Sequence, residues 1–169
     1  MMPHKAIHRF AGVAATLLLL SRPASAQAAP PSVAHPRDAA SQQLATADVR
    51  ATIERLFRAI EHRDTAALAV LFAGDSLTII EEEDINRSWT DYRDNHLVPE
   101  LEEWRNLVYR PSEIEVHVSG AIAWVLFRYS LKAQLNQHPV DVVGRGTAVL
   151  ERRGPRWVVR HMHSSGKPR

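Results

Sequence analysis

The sequence predicts one α+β domain over roughly residues 46 to 165, with helices packed on an antiparallel sheet. Three observations predict it. Apolar residues first recur at helical spacing, then alternate with polar ones from Leu107 onward, the period-two signature of half-buried strands. The pairs Ser119-Gly120 and Gly154-Pro155 punctuate that second region, as turns between consecutive strands do.

The chain has 169 residues, enough for one domain with a real core. Lys5 and Arg9 precede the short apolar run Ala11 to Leu20, and Ala24-Ser25-Ala26 supplies small residues suited to a signal peptidase. This pattern predicts a cleaved secretory signal over residues 1–26 and places the remainder in the periplasm or outside the cell. An uncleaved membrane helix is the alternative, but Ser21, Arg22 and Pro23 end the run at about half the length needed to span a bilayer. The formal charge of +2 depends on that segment. It holds Lys5, Arg9 and Arg22 and no acid, which leaves 18 basic and 19 acidic residues beyond it, a charge of −1. Neither nucleic-acid binding nor lasting membrane association after signal removal is expected. There is no cysteine, which excludes disulfides, thiolate metal sites and a cysteine nucleophile.

Residues 27–45 contain Pro30, Pro31 and Pro36 without apolar periodicity and read as a flexible linker. The domain, residues 46–166 with a short tail at 167–169, opens on a helix. Val49, Ile53, Leu56, Phe57 and Ile60 form its apolar stripe, and Thr46 or Asp48 can cap it. Asp64 can cap a second, short helix carrying Leu68, Leu71 and Phe72, before a strand over Leu77 to Ile80. Ser88 to about Trp104 reads as a helix that Pro99 must kink or restart. The strands that follow hold Ile114, Val116 and Val118, then Ala121 to Ala133, Val140 to Glu151 and Arg156 to Ser164.

This order of elements resembles the nuclear transport factor 2-like (SnoaL-like) superfamily. The ending Glu151-Arg152-Arg153-Gly154-Pro155-Arg156-Trp157, followed by His161-Met162-His163-Ser164, is similar to the last hairpin of small SnoaL-like domains. It is similar also to that of the calcium/calmodulin-dependent kinase II association domain. Val118-Ser119-Gly120 with Ala123-Trp124 matches the preceding hairpin of such domains. The resemblance implies a cone-shaped, strongly curved antiparallel sheet, a four-strand C-terminal meander plus one earlier strand, wrapped on the N-terminal helices with a hollow between. It implies no single activity, because the family spans isomerases, dehydratases, cyclases and assembly modules. Leu126 and Ala148 stand where the kinase module carries pocket arginines, and the carboxylate–phenol pattern of ketosteroid isomerases is absent.

An even-numbered turn at Gly154-Pro155 would pair Arg152 with Trp157, Leu150 with Val159, Ala148 with His161 and Gly146 with His163. Both imidazoles would then look inward over Gly144, Gly146 and Ala148, where side-chain volume is missing. His161 and His163 are thus the catalytic candidates, because imidazole titrates near neutrality; hydrogen-bonded structural histidines are the competing reading. Ligand contacts are expected from Trp124, Arg128, Tyr92, His96, Trp157, His161 and His163. His96 and Glu100 share the i, i+4 spacing of helical metal ligands, but no third ligand is fixed, and neither a metal nor a cofactor is expected. Glu81-Glu82-Glu83-Asp84 reads as a solvated acidic strand end.

The function expected is an exported domain binding an unidentified small molecule between helices and sheet. The first alternative is an acid–base enzyme of isomerase, dehydratase or cyclase type on a small hydrophobic or amphipathic substrate. The second is a non-catalytic homodimer, associating through an outer face bearing Val125, Phe127 and Leu131.

Overall fold

The computed structural model describes residues 36–169. The expected signal peptide, residues 1–26, and the expected linker up to residue 35 lie outside the described residues. Helix α1 runs Pro36–Glu61, well ahead of the Thr46 or Asp48 start, so residues 36–45 are helical. Its early turns have partners that composition could not reveal. The Gln42 amide donates to the Val118 carbonyl at 2.8 Å, and the Arg50 guanidinium to that of Ile114 at 2.6 Å. Farther on, Val49, Ile53, Leu56, Phe57 and Ile60 are all at most 3% exposed. Burial of such side chains contributes about 1.5–3 kcal/mol each. Among the described residues no helix is long and apolar enough to cross a membrane.

After α2 (Thr65–Leu71), capped by Asp64 Oδ1 on the Ala67 N–H at 2.9 Å, strand β1 covers Thr78–Glu81 and β2 Asp84–Asn86. Three helical pieces follow: α3 (Trp89–Tyr92), a π turn (Arg93–Leu97) and α4 (Val98–Glu103). The Val98 N–H reaches back five residues to the Arg93 carbonyl. That extra residue lets Pro99, which has no N–H to give, sit in the first turn of α4. The long strands are β3 (Trp104–Ser119), β4 (Ile122–Leu135), β5 (His138–Arg153) and β6 (Arg156–Pro168).

The sheet differs from expectation. It has six strands in the order β2-β1-β6-β5-β4-β3, with open edges at β2 and β3. It is mixed, because β1 runs parallel to β6. An open mixed sheet with helices packed against it replaces the strongly curved, cone-shaped antiparallel sheet that the family resemblance implied. Strand β2 escaped notice because it is three residues long and follows an acidic run, and acidic residues are depleted in strands.

The largest correction concerns β6. The turn at Gly154-Pro155 does contain two residues, with Arg152 opposite Trp157 and Leu150 opposite Val159. Beyond that pair a bulge adds one residue to β6, so Val149 faces His161, Ala148 faces Met162 and Gly146 faces Ser164. A one-residue slip exchanges the two faces of a strand. Met162 (2% exposed) and Ser164 (5%) therefore point to the helices, while His161 and His163 lie on the outer face, His163 exposed. Strand β4 alternates just as strictly. Val125, Phe127 and Leu131, expected on the outer face, are buried beneath the helices, and Trp124 and Leu126 are the exposed residues.

Nor do the glycines leave a hollow. A Cβ on Gly146 would lie 2.3 Å from Phe127 Cζ, and one on Gly144 would lie 2.2 Å from Tyr129 Cζ. The aromatic rings of β4 fill the space that the glycines vacate. Gly144→Ala is accordingly expected to destabilise the fold by about 1–3 kcal/mol in urea denaturation. Adding Tyr129→Leu should recover part of that loss. A single variant as stable as the parent protein would contradict the filled space.

Candidate functional site

A cavity of about 280 Å³ lies between the helical pieces after β2 and the inner face of the sheet. Tyr109 of β3, Tyr129 and Leu131 of β4, and Val140 and Val142 of β5 form its walls. Its polar end is built from four elements: Glu81 closes β1, Tyr92 closes α3, His96 sits in the π turn, and Glu100 lies in α4.

Each of these side chains has a local reason to be there. The Ser88 hydroxyl accepts the Asp91 N–H at 3.0 Å and starts α3. Trp89 and Tyr92 then pack on Phe72, with ring centroids 5.3 and 5.9 Å away. One turn later His96 stands beside Tyr92, centroids 5.4 Å apart. Glu81 is the β1 residue opposite Ser164 in the parallel pair, so it faces inward because Ser164 does.

The contacts converge on Glu81. His96 Nε2 lies 2.8 Å from Glu81 Oε2, the Tyr92 hydroxyl donates to the same oxygen at 3.4 Å, and the Ser164 hydroxyl donates to Glu81 Oε1 at 3.2 Å. The same His96 nitrogen is 3.6 Å from Glu100 Oε1. The imidazole thus sits between two carboxylates, with a 13% exposed side chain. The bond to Glu81 raises its pKa above the ordinary histidine value, against the opposing effect of burial. Glu100 keeps 41% of its side-chain surface exposed. Burial of its carboxyl, with Glu81 and Asp84 adding repulsion, nonetheless pushes its pKa up to about 7. Burial raises Tyr129 to about 12 and lifts Tyr92 and Tyr109 well above the ordinary phenol value. All three tyrosines therefore stay protonated at neutral pH and can donate. Among the described residues no group of three His, Cys, Asp or Glu side chains is placed to hold a metal ion.

Of the seven ligand contacts expected from sequence, Tyr92 and His96 meet in this cavity. Trp157 is 3% exposed in the core and does not line it. Trp124 is 45% exposed on the outer face and stacks on His117 at 5.1 Å. Arg128 pairs there with Glu113 at 2.7 Å. His161 is half-buried on that face, and His163 borders a shallow outer hollow of about 390 Å³ together with Arg128 and Arg145. That hollow is larger, but its charged groups are largely exposed and it holds no imidazole–carboxylate contact comparable to His96–Glu81. Sequence reasoning missed Tyr109, Tyr129 and Ser164, read Glu81 as part of a solvated acidic strand end where it in fact faces the cavity, and weighed Glu100 only as a metal ligand. Tyr109 and Tyr129 were within reach, since each is in phase with buried strand neighbours, Leu107 and Phe127.

Both His96 and Glu100 have folded-state pKa values above their unfolded ones. For such groups stability is fully present below the unfolded value and is lost as the pH rises through the folded one. For Glu100 that loss runs from about 4.5 to about 7. Glu100→Gln should therefore flatten the fall in urea stability between pH 4.5 and pH 8. An unchanged slope would show that the carboxyl is not held protonated.

The sequence profile of the SnoaL-like domain matches residues 49–168. A search among curated proteins finds no match. Among solved structures, a provisionally named ketosteroid isomerase from Shewanella frigidimarina NCIMB 400 is 22% identical with a TM-score of 0.61; the match covers 68% of this chain and 91% of that one. A provisionally named dehydratase of the NTF2-like family from Streptomyces avermitilis is 13% identical with a TM-score of 0.67, covering 75% and 99%. An NTF2-like superfamily protein from Salmonella enterica serovar Typhimurium LT2 is 20% identical with a TM-score of 0.66, covering 78% and 94%. At these identities the structural matches establish the fold alone. With the profile spanning most of the chain, the protein belongs to the SnoaL-like domain family within the nuclear transport factor 2-like superfamily.

Proposed function

We propose that this protein is an acid–base enzyme of isomerase, dehydratase or cyclase type, acting on a small hydrophobic or amphipathic substrate in the inner cavity. One observation carries the reading: His96 Nε2 stands between Glu81 and Glu100, 2.8 and 3.6 Å away, at the polar end of a cavity walled by Tyr109, Tyr129, Leu131 and Val142. A pure binding site has no need of a carboxyl pushed up to about 7 beside an imidazole whose pKa is also raised, whereas general acid–base catalysis uses such a pair. The isomerase and dehydratase names carried by structural neighbours point the same way.

In this reading Glu100, or neutral His96 through the ring nitrogen that does not donate to Glu81, removes a proton from carbon next to a carbonyl. The electron pair moves onto the carbonyl oxygen, which a phenol of Tyr109 or Tyr129 stabilises by hydrogen bonding. Return of the proton to a different carbon completes an isomerisation. Departure of a β-hydroxyl as water, with the proton supplied by the imidazolium, completes a dehydration. Glu81 accepts from His96, holds the ring in place and supports its charged form. Export beyond the cytoplasm belongs to the same proposal, on the strength of the leader-like segment from Lys5 to Ala26. So does a homodimer formed through the outer face, where Trp124 and Leu126 are 45% and 42% exposed.

The test is hydrogen–deuterium exchange at the α-carbon of a panel of small ketones, followed by NMR in heavy water. The protein should accelerate exchange for at least one member, and His96→Gln should slow it by about 10²-fold or more. Ketones that bind the cavity but exchange equally fast with parent and variant would contradict the proposal.

A further inference from the structure

The charges around the cavity are one-sided. Its lining holds Glu81, Glu82, Asp84 and Glu100, and among the described residues His96 is its only basic side chain. Nearby cations are engaged elsewhere: Arg93 is paired with Asp94 at 2.6 Å, and the Arg63 guanidinium reaches the Trp104 carbonyl. A carboxylate or phosphate on the substrate would meet repulsion from several acids and find one imidazole already bound to Glu81.

A second feature of the same cavity is independent of those acids. Tyr109 and Tyr129 are 7% and 8% exposed, and among the described residues neither phenol oxygen has a hydrogen-bond partner, although neither is sealed from the cavity. Their rings meet edge to face at 89°, centroids 5.4 Å apart, and Trp104 adds a third aromatic residue to the lining. Two perpendicular phenol rings whose oxygens have no partner among the described residues, beside carboxylates, offer what an ammonium group seeks: aromatic faces, acceptor oxygens and negative potential in a partly desolvated space.

We propose that the substrate carries a cationic nitrogen on a short apolar arm, with the ammonium held between the Glu100–Asp84 rim and the Tyr109–Tyr129 corner. This rests on the acid–base reading of the same cavity and adds to it the charge of the substrate. The cation also has an electrostatic consequence. It relieves the mutual repulsion of Glu81, Asp84 and Glu100, so its binding draws the Glu100 carboxyl into its ionised, basic form. Substrate entry thereby prepares the base.

Three probes of one size and differing charge decide the matter: phenethylamine, phenethyl alcohol and hydrocinnamate, titrated into the protein by calorimetry near pH 8. The amine should bind about tenfold more tightly than the alcohol, the carboxylate more weakly than either, and Glu100→Gln should remove most of the amine's advantage. Amine affinity should also fall as the pH drops through about 7, where Glu100 takes up its proton. Binding of the amine no tighter than that of the alcohol or the carboxylate, absence of binding included, overturns the inference. Ketone exchange measured on the same samples separates the two claims. His96-dependent exchange without amine preference keeps the enzyme and discards the cation. Amine preference without exchange keeps the cation and discards the enzyme.

Discussion

The inner site depends on one extra residue in the last strand. Between Val159 and His161 the β5–β6 ladder slips by one position, and every side chain beyond that point changes face. Without the slip, two histidines would crowd against Phe127 and Tyr129. With it, Met162 fills the core and Ser164 turns inward, opposite Glu81 in the parallel β1–β6 pair. The Ser164 hydroxyl then holds one oxygen of Glu81 and leaves the other for His96 and Tyr92. A backbone irregularity thus fixes the carboxylate on which His96, Tyr92 and Ser164 converge.

The second constraint is the π turn. Arg93 to Leu97 takes an extra residue just before Pro99, which resolves the missing N–H of the proline and brings His96 onto the cavity between Glu81 and Glu100. Such turns are energetically poorer than α-helix and occur often at functional sites. Here the aromatic packing of Phe72, Trp89 and Tyr92 supports it. Local irregularity in β6 and in the helix meets at one carboxylate, and the regular elements around it supply the walls.

Much of the fold was legible because it follows from periodicity. The α1 stripe, the Asp64 cap and the four long strands are all encoded by local spacing. The site was less legible because it depends on departures from periodicity. Strict alternation from Trp157 through Val159 placed His161 and His163 inward, yet the sequence held a warning: Met162, the next large apolar residue, is out of phase with that pair. Reading Met162 as core would have revealed the bulge. Glu81 had no such marker, because only the pairing of β1 with β6 distinguishes it from the exposed Glu82 and Glu83 beside it. The curvature of the sheet came from resemblance and not from these residues, and there the expectation failed.

The central claim is that His96 is held as a proton carrier by Glu81, and its imidazole titration by NMR tests this most directly. The account predicts that His96 titrates above the ordinary histidine value of 6.5 and moves downward in Glu81→Gln. A His96 titration at or below that value, indifferent to the loss of Glu81, would contradict it.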